Sequence, residues 1–387
     1  MNGRGSKAAA MDNTLTIAFT GGGTGGHIYP GLALIEALRT EGGIFADARI
    51  IWLGSKRGMD KTIVESAAGL NIAFFGIRSG KLRRSFSFRN ILDIYNVFAG
   101  FIESLLILKR ERPRLLFSKG GFVSVPPVAA AHSLKIPAWT HESDFSMGLA
   151  NKINARFAVR IFLSYEQTLD ALPPRLRGKA VVSGNPVRAA FYSASSDERV
   201  PESAAKARAF LGLTEDAPVL FILGGSQGAQ EINALVEQTL AALTVRFVVV
   251  HQTGGGEAAG AATDRYKPFA YIKNEMPSLL AYSALVAGRS GAGTVWECAA
   301  CGKPMMLIPL AGSGTRGDQV ENARYFERKG AAVCLVHPSA GEFLSAVTAL
   351  ADSPARLKDM AESSHKLGRQ NAAAFLAREI CDACLAG

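Results

Sequence analysis

The sequence predicts an α/β protein with two doubly wound parallel-sheet domains facing a cleft, and three observations carry that expectation. The stretch "LTIAFTGGGTGGHIYPGLALIEAL" (15–38) reads as buried strand, glycine turn and helix, and "APVLFILGGSQGAQEINALVEQTL" (217–240) repeats that order. Each is the opening βα unit of a doubly wound sheet, so two copies imply two Rossmann-like domains. The third observation is size: 387 residues, at roughly 100 to 200 per domain, leave room for two cores.

Further strands fit each half in order. In the first they are Leu15–Phe19, 48–54, 71–77, 114–122, 136–143 and 159–164, with helix patterns at 32–39, 61–68 and 125–134 between them. In the second they are 217–223, 247–253, 269–272, 284–288, 304–310 and 332–336. Proline and glycine gather in "LPPRLRGKAVVSGNPVR" (172–188), where a linker belongs. The expected domains are therefore 12–180 and 181–369, with a last helix within 370–387 returning to the first.

Composition narrows the function classes. Hydrophobic residues make up 48% and charged residues 20%, with 40 glycines, which suits a globular α/β chain and excludes a disordered one. A formal charge of +10 points to an anionic partner. No recognised nucleic-acid module accompanies the charge, so nucleic acid is not the partner expected. The opening "MNGRGSKAAAMDNTLTIAF" lacks an apolar run of signal-peptide length, and a cytoplasmic protein is expected. Ile91–Leu108 is the most membrane-like stretch, but Asp93, Asn96 and Glu103 interrupt it, so it reads as a buried or surface-lying helix. Two C-x-x-C pairs, Cys298/Cys301 and Cys381/Cys384, have the count for a zinc site; their alanine-rich helical settings favour reduced, packed cysteines.

Three glycine turns carry the binding chemistry. "TGGGTGGHIYPG" (20–31) sets backbone N–H groups at a helix start, where anions and hydroxyls are held, and adds His27, whose proton moves near neutral pH. Its G-x-G-x-x-G pattern suggests a dinucleotide, yet the second strand ends in Ser55, Lys56 and Arg57 with no carboxylate for a ribose. No G-x-x-x-x-G-K-[ST] occurs either. The turn Gly224–Gly228 suits a diphosphate, with the Ser226 hydroxyl at hand and Arg188 reaching from the linker. In "GRSGAGTVWE" (288–297), Glu297 lies one helical turn beyond Thr294 and can accept both hydroxyls of a ribose, or be an ordinary surface glutamate. "TRGDQVENA" (315–323) starts a helix in which Asp318 reads as an N-cap and Gln319 suits sugar hydroxyls. The chain holds no D-x-D carboxylate pair, so amides and Arg188 are expected to do a cation's work, with no metal and no cofactor.

Taken together, "GGGTGGHIYPGLAL", "FSKGGFVSVPPV", "HESDFSMGLANK", "SGNPVR", "LGGSQGAQEIN", "HQTG", "RSGAGTVWE" and "RGDQVENA", in this order between residues 21 and 323, resemble the MurG family of lipid-linked N-acetylglucosamine transferases of peptidoglycan synthesis. The resemblance implies a two-domain GT-B glycosyltransferase fold. It implies UDP-GlcNAc as donor and undecaprenyl-pyrophosphoryl-MurNAc-pentapeptide (lipid I) as acceptor. The product would be lipid II, made without a required metal at the cytoplasmic face of the cell membrane. Carried over by motif, Thr24, Gly25 and Gly26 belong to the first loop, Ser226 to the diphosphate turn and Arg188 to the linker motif. Ile272 matches the position whose backbone meets uracil; Ala292, Gly293, Thr294, Val295, Trp296 and Glu297 form the sugar and ribose segment; Gln319 holds GlcNAc hydroxyls. Two departures stand out: Asp144 where many members have asparagine, and Asp318 where many have glutamine.

In the implied reaction the acceptor hydroxyl attacks the anomeric carbon opposite UDP. His27 is the expected base, since a neutral imidazole can take the proton, with Glu142 and Asp144 as rivals. The basic excess also finds a use. "RSGKLRRSFSFRNIL" (78–92) interleaves Arg78, Lys81, Arg83, Arg84 and Arg89 with Leu82, Phe86, Phe88, Ile91 and Leu92. Such a segment suits a peripheral protein on an anionic leaflet, each cation adding about 1 kcal/mol. Two other readings share the donor motifs: another GT-B UDP-sugar enzyme, such as a UDP-GlcNAc epimerase, and a non-catalytic nucleotide-sugar-binding protein.

Overall fold

The computed structural model describes residues 15–41, 43–80, 89–224, 230–256, 258–312 and 316–385. The first sheet has seven parallel strands: β1 (Thr16–Thr20), β2 (Arg49–Ser55), β3 (Ile72–Ile77), β4 (Leu115–Ser118), β5 (Ala138–Glu142), β6 (Arg160–Leu163) and β7 (Ala180–Val182), in the order β3-β2-β1-β4-β5-β6-β7. The second has six: β8 (Val219–Leu223), β9 (Val248–Gln252), β10 (Tyr266–Phe269), β11 (Leu285–Gly288), β12 (Met305–Leu307) and β13 (Ala332–Cys334), in the order β10-β9-β8-β11-β12-β13. Both orders reverse direction once, between β1 and β4 and between β8 and β11. In open parallel sheets the loops at the carboxyl ends of such strands diverge and leave a crevice where ligands bind.

The strands are apolar on both faces because helices cover both, which is why they read as continuous hydrophobic runs. In the first core, Phe19 lies opposite Trp52 and Phe117 in register, and its ring stacks on Trp52 at 6.2 Å. The last helix, Ala372–Leu385, buries Leu376, Ala377, Ile380 and Cys384 in that same core. Each fully buried Leu or Ile there contributes about 1.5–3 kcal/mol. The C-terminal segment therefore crosses back onto the first domain.

Three segments differ from the sequence expectation. The linker-like stretch contains the edge strand β7, paired with β6. At the sheet edge, β10 runs from Tyr266 to Phe269 instead of over 269–272. Pro268 within it is tolerated because an edge strand has one unpaired side. The strand expected over 114–122 stops at Ser118, since Gly120 and Gly121 turn the chain at φ +81° and +75°.

The helix Arg89–Glu111 lies on the surface of the first domain. Its residues Ser104 and Leu108 are buried, whereas Leu92, Tyr95, Phe98, Ile102 and Leu106, spaced three or four apart on one face, are exposed. Among the described residues, no helix is long and apolar enough to cross a membrane.

Candidate active site

The first glycine loop is held rigidly from below. Asp60, buried at the start of its own helix, accepts Gly23 N–H at 3.0 Å and Ser55 N–H at 2.9 Å. Trp52 Nε1–H donates to Gly21 O at 3.1 Å. A side chain at Gly22 would overlap the Asp60 carboxyl, and one at Gly23, where φ is +84°, would overlap Phe122. The loop then enters the helix Gly25–Glu41 with Thr24 and Gly26 exposed.

His27 sits in the first turn of that helix, and its Nδ1 lies 3.2 Å from the carbonyl of Lys119. A carbonyl only accepts, so Nδ1 carries the hydrogen and Nε2 is the basic nitrogen. Gly121 packs against the ring; a Cβ there would stand 2.9 Å from His27 Cδ2. Burial is the main influence on the imidazole and lowers its pKa, keeping it neutral; Asp144 opposes this, while Lys119 and Arg316 reinforce it.

The two rival carboxylates are differently placed. Glu142, at the end of β5, accepts from Asp144 N–H (3.0 Å), Gly148 N–H (2.9 Å) and Asn151 Nδ2 (2.9 Å). Its oxygens are spent shaping the loop 143–148. Asp144 reaches across the cleft to the second domain, pairing with Arg316 Nη2 at 2.8 Å and Asn322 Nδ2 at 3.3 Å. Burial raises its pKa first, Glu142 and Asp318 add to that, and His27 and Arg316 oppose it. The crossing continues at Phe145, whose N–H donates to Asn322 Oδ1 at 3.0 Å. Phe145, Tyr165, Trp296 and Tyr325 then close an aromatic contact between domains, with Tyr165 and Tyr325 edge-to-face at 4.8 Å.

On the second domain, the helix Ala292–Ala300 turns Gly293, Thr294 and Glu297 toward accessible space. Ala292, Val295 and Trp296 point into the core, leaving only their main chain for a ligand. Burial pushes the Glu297 carboxyl up to about 7, against the pull of Arg188. Arg188 itself stacks over Phe191 at 4.9 Å. The Ile272 N–H donates to Gln252 Oε1 at 3.0 Å, which anchors that loop to β9. Gln319 is oriented by Leu310 N–H donating to its Oε1 at 3.0 Å, and its carbonyl accepts from Ser290 Oγ at 2.7 Å. Gly317, at φ +79°, holds the N-cap position expected of Asp318, which instead pairs with Arg316 at 2.9 Å.

Ser226 and the basic, aromatic segment with Leu82, Arg83, Arg84, Phe86 and Phe88 lie outside the described residues. Arg78, at its start, pairs with Glu103 at 2.9 Å. The two C-x-x-C pairs do not meet: Cys298 and Cys301 are packed in the second domain and Cys384 in the first, so they form no joint four-thiolate site. Burial raises the pKa of each of these thiols. Sequence reading passed over Asp60, Lys119, Asn185, Arg316 and Asn322. For Lys119 a signal existed, a lysine between a buried strand and two glycines.

Comparison with known proteins agrees with this architecture. Residues 17–163 match the glycosyltransferase family 28 N-terminal domain and residues 219–376 its C-terminal domain. The UDP-N-acetylglucosamine–N-acetylmuramyl-(pentapeptide) pyrophosphoryl-undecaprenol N-acetylglucosamine transferase of Treponema denticola is 48% identical, covering 83% of each chain. The same-named protein of Treponema pallidum is 44% identical over 94% of each. Among solved structures, MurG of Acinetobacter baumannii superposes with a TM-score of 0.71 at 21% identity, covering 95% of this chain and 99% of that one. A UDP-GlcNAc 2-epimerase from Neisseria meningitidis has the same fold, with a TM-score of 0.64 at 15% identity, covering 96% of this chain and 100% of that one. The relatives at 44–48% identity and the two matched domains place this chain in glycosyltransferase family 28, among the MurG N-acetylglucosaminyltransferases.

Proposed function

We propose that this protein transfers N-acetylglucosamine from UDP-GlcNAc to the 4-hydroxyl of MurNAc in lipid I, giving lipid II, by a single inverting displacement. The acceptor hydroxyl gives its proton to His27 Nε2 as its oxygen bonds to the anomeric carbon. The bond from that carbon to UDP breaks, and UDP leaves with the electron pair. The observation that carries this assignment is the contact between His27 Nδ1 and the Lys119 carbonyl, which leaves the other nitrogen basic in the first turn of the cleft-facing helix. Asp144 supports the imidazolium once it forms, because its charge raises the His27 pKa. Glu142 acts as a holder of the loop, consistent with its three N–H donors.

On the donor side, the departing diphosphate is met by main-chain N–H groups at helix starts, by Ser226 and by Arg188. Glu297 takes the ribose hydroxyls, Ile272 the base, and Gln319 with the 292–297 turn the sugar. No metal or other cofactor is assigned a step, because the chain offers no D-x-D pair to present one. The test is radiolabelled UDP-GlcNAc with a short-chain lipid I analogue. Transfer to the lipid supports the reading; epimerised or untouched donor contradicts it.

The exposed apolar face of the helix Arg89–Glu111, which continues the basic segment 78–92, suits a peripheral enzyme on the anionic cytoplasmic leaflet, where its lipid acceptor lies. Sedimentation should show binding to anionic vesicles well above binding to neutral ones. Equal binding to both defeats the electrostatic part of this reading.

A further inference from the structure

Lys119 takes no step in that reaction, yet its side chain is fully buried beneath the first helix, against Gly31. A buried ammonium needs partners for its three N–H groups. They are His141 Nδ1 at 2.6 Å, Ser143 Oγ at 2.9 Å and Asn185 Oδ1 at 3.5 Å. His141 Nε2–H donates to Gly184 O at 2.9 Å, so its Nδ1 carries the lone pair that receives the lysine proton. Ser143 Oγ donates in turn to Asn185 Oδ1 at 3.0 Å. Gly184 and Asn185 begin the segment that crosses to the second domain, so the lysine head is fastened to that crossing. The other end of the same residue, its carbonyl, is the acceptor of His27 Nδ1–H.

We propose that Lys119 is a positioning residue for the transfer: its anchored ammonium fixes the carbonyl that sets the tautomer and aim of His27, and so ties the base to the crossing between domains. The inference rests on His27 being the base. The charged and titratable groups facing Lys119 are His141 and Glu142 on β5, Asp144 just after it, and His27 on the first helix, with Arg316 of the second domain also acting on His27. Burial brings the ammonium down to about 7, with Glu142 and Asp144 opposing. When charged, it lowers the pKa of His27.

The experiment compares Lys119→Met, Ser143→Ala and His27→Ala in the lipid I analogue assay across pH, with melting curves as a fold check. Lys119→Met should lower kcat by about 10²-fold, the cost of a misaimed group, with the KM for UDP-GlcNAc little changed. The acid limb of kcat should move to higher pH, since a cation opposing the imidazolium is gone. Ser143→Ala should move both in the same direction by less, and decides alone should Lys119→Met not fold. An unmoved acid limb, or a kcat loss matched by an equal rise in donor KM, overturns the proposal. A near-normal His27→Ala removes the base assignment and this inference with it. A crippled His27→Ala beside an unmoved Lys119→Met overturns the role of Lys119 alone.

Discussion

Replacing Glu297 by glutamine pulls apart two effects that one carboxyl combines. In the folded chain burial pushes this group up to about 7. An unfolded glutamate titrates at about 4.3. Between those values the folded chain keeps a proton that the unfolded chain has released, so folding stability falls as pH rises through that window. The shift corresponds to about 4 kcal/mol at pH 8, and partial exposure of the side chain reduces this to about 2–3 kcal/mol. Glu297→Gln removes the penalty. It should therefore be more stable than the parent at pH 8, by a margin that shrinks toward zero as pH falls to 4.5. Donor binding should move the opposite way. Hydrogen bonds to a charged group are worth about 1.5–3 kcal/mol, so UDP should bind roughly 10- to 100-fold more weakly at pH 8. In the parent, affinity should tighten by about tenfold between pH 6 and pH 8 as the carboxylate forms, and in the variant it should stay flat. Denaturant melts and titration calorimetry with UDP read both quantities. A stability gain independent of pH, or a variant that binds UDP as the parent does at pH 8, would rule out this double role of Glu297.

Three further outcomes are expected. His27→Ala should lower kcat by roughly 10²- to 10⁴-fold, with calorimetric donor affinity little changed. Asp60→Ala leaves the N–H groups of Gly23 and Ser55 without their acceptor and should cost about 2–4 kcal/mol in a denaturant melt, with weaker substrate binding at the loosened loop. Phe98→Asp, on the exposed helix face, should weaken but not abolish binding to anionic vesicles in sedimentation while shifting stability by no more than about 0.5 kcal/mol.

What the sequence made legible follows from how local each signal is. Buried parallel strands announce themselves as apolar runs, and glycine turns into helices mark each opening βα unit, so two parallel-sheet domains facing a cleft are legible in the sequence. The edge strands were harder: β7 carries half-buried residues inside a proline-rich stretch, and β10 contains Pro268. Pairings across long sequence separation left no local trace. Nothing near Asp144 says that its cation is Arg316, and nothing near Gly23 says that Asp60 holds it. In Ala292–Glu297 the motif marked the whole turn, whereas helical periodicity sends Val295 and Trp296 into the core and leaves Gly293, Thr294 and Glu297 to face outward.

The central claim is that UDP-GlcNAc lies between the two sheets with its anomeric carbon turned toward His27. A crystal structure of the complex tests it most directly. The ribose should lie on Glu297 and the diphosphate against Ser226 and Arg188, with space for an acceptor hydroxyl beside His27 Nε2. A donor bound elsewhere, or one whose anomeric carbon faces away from His27, would contradict it.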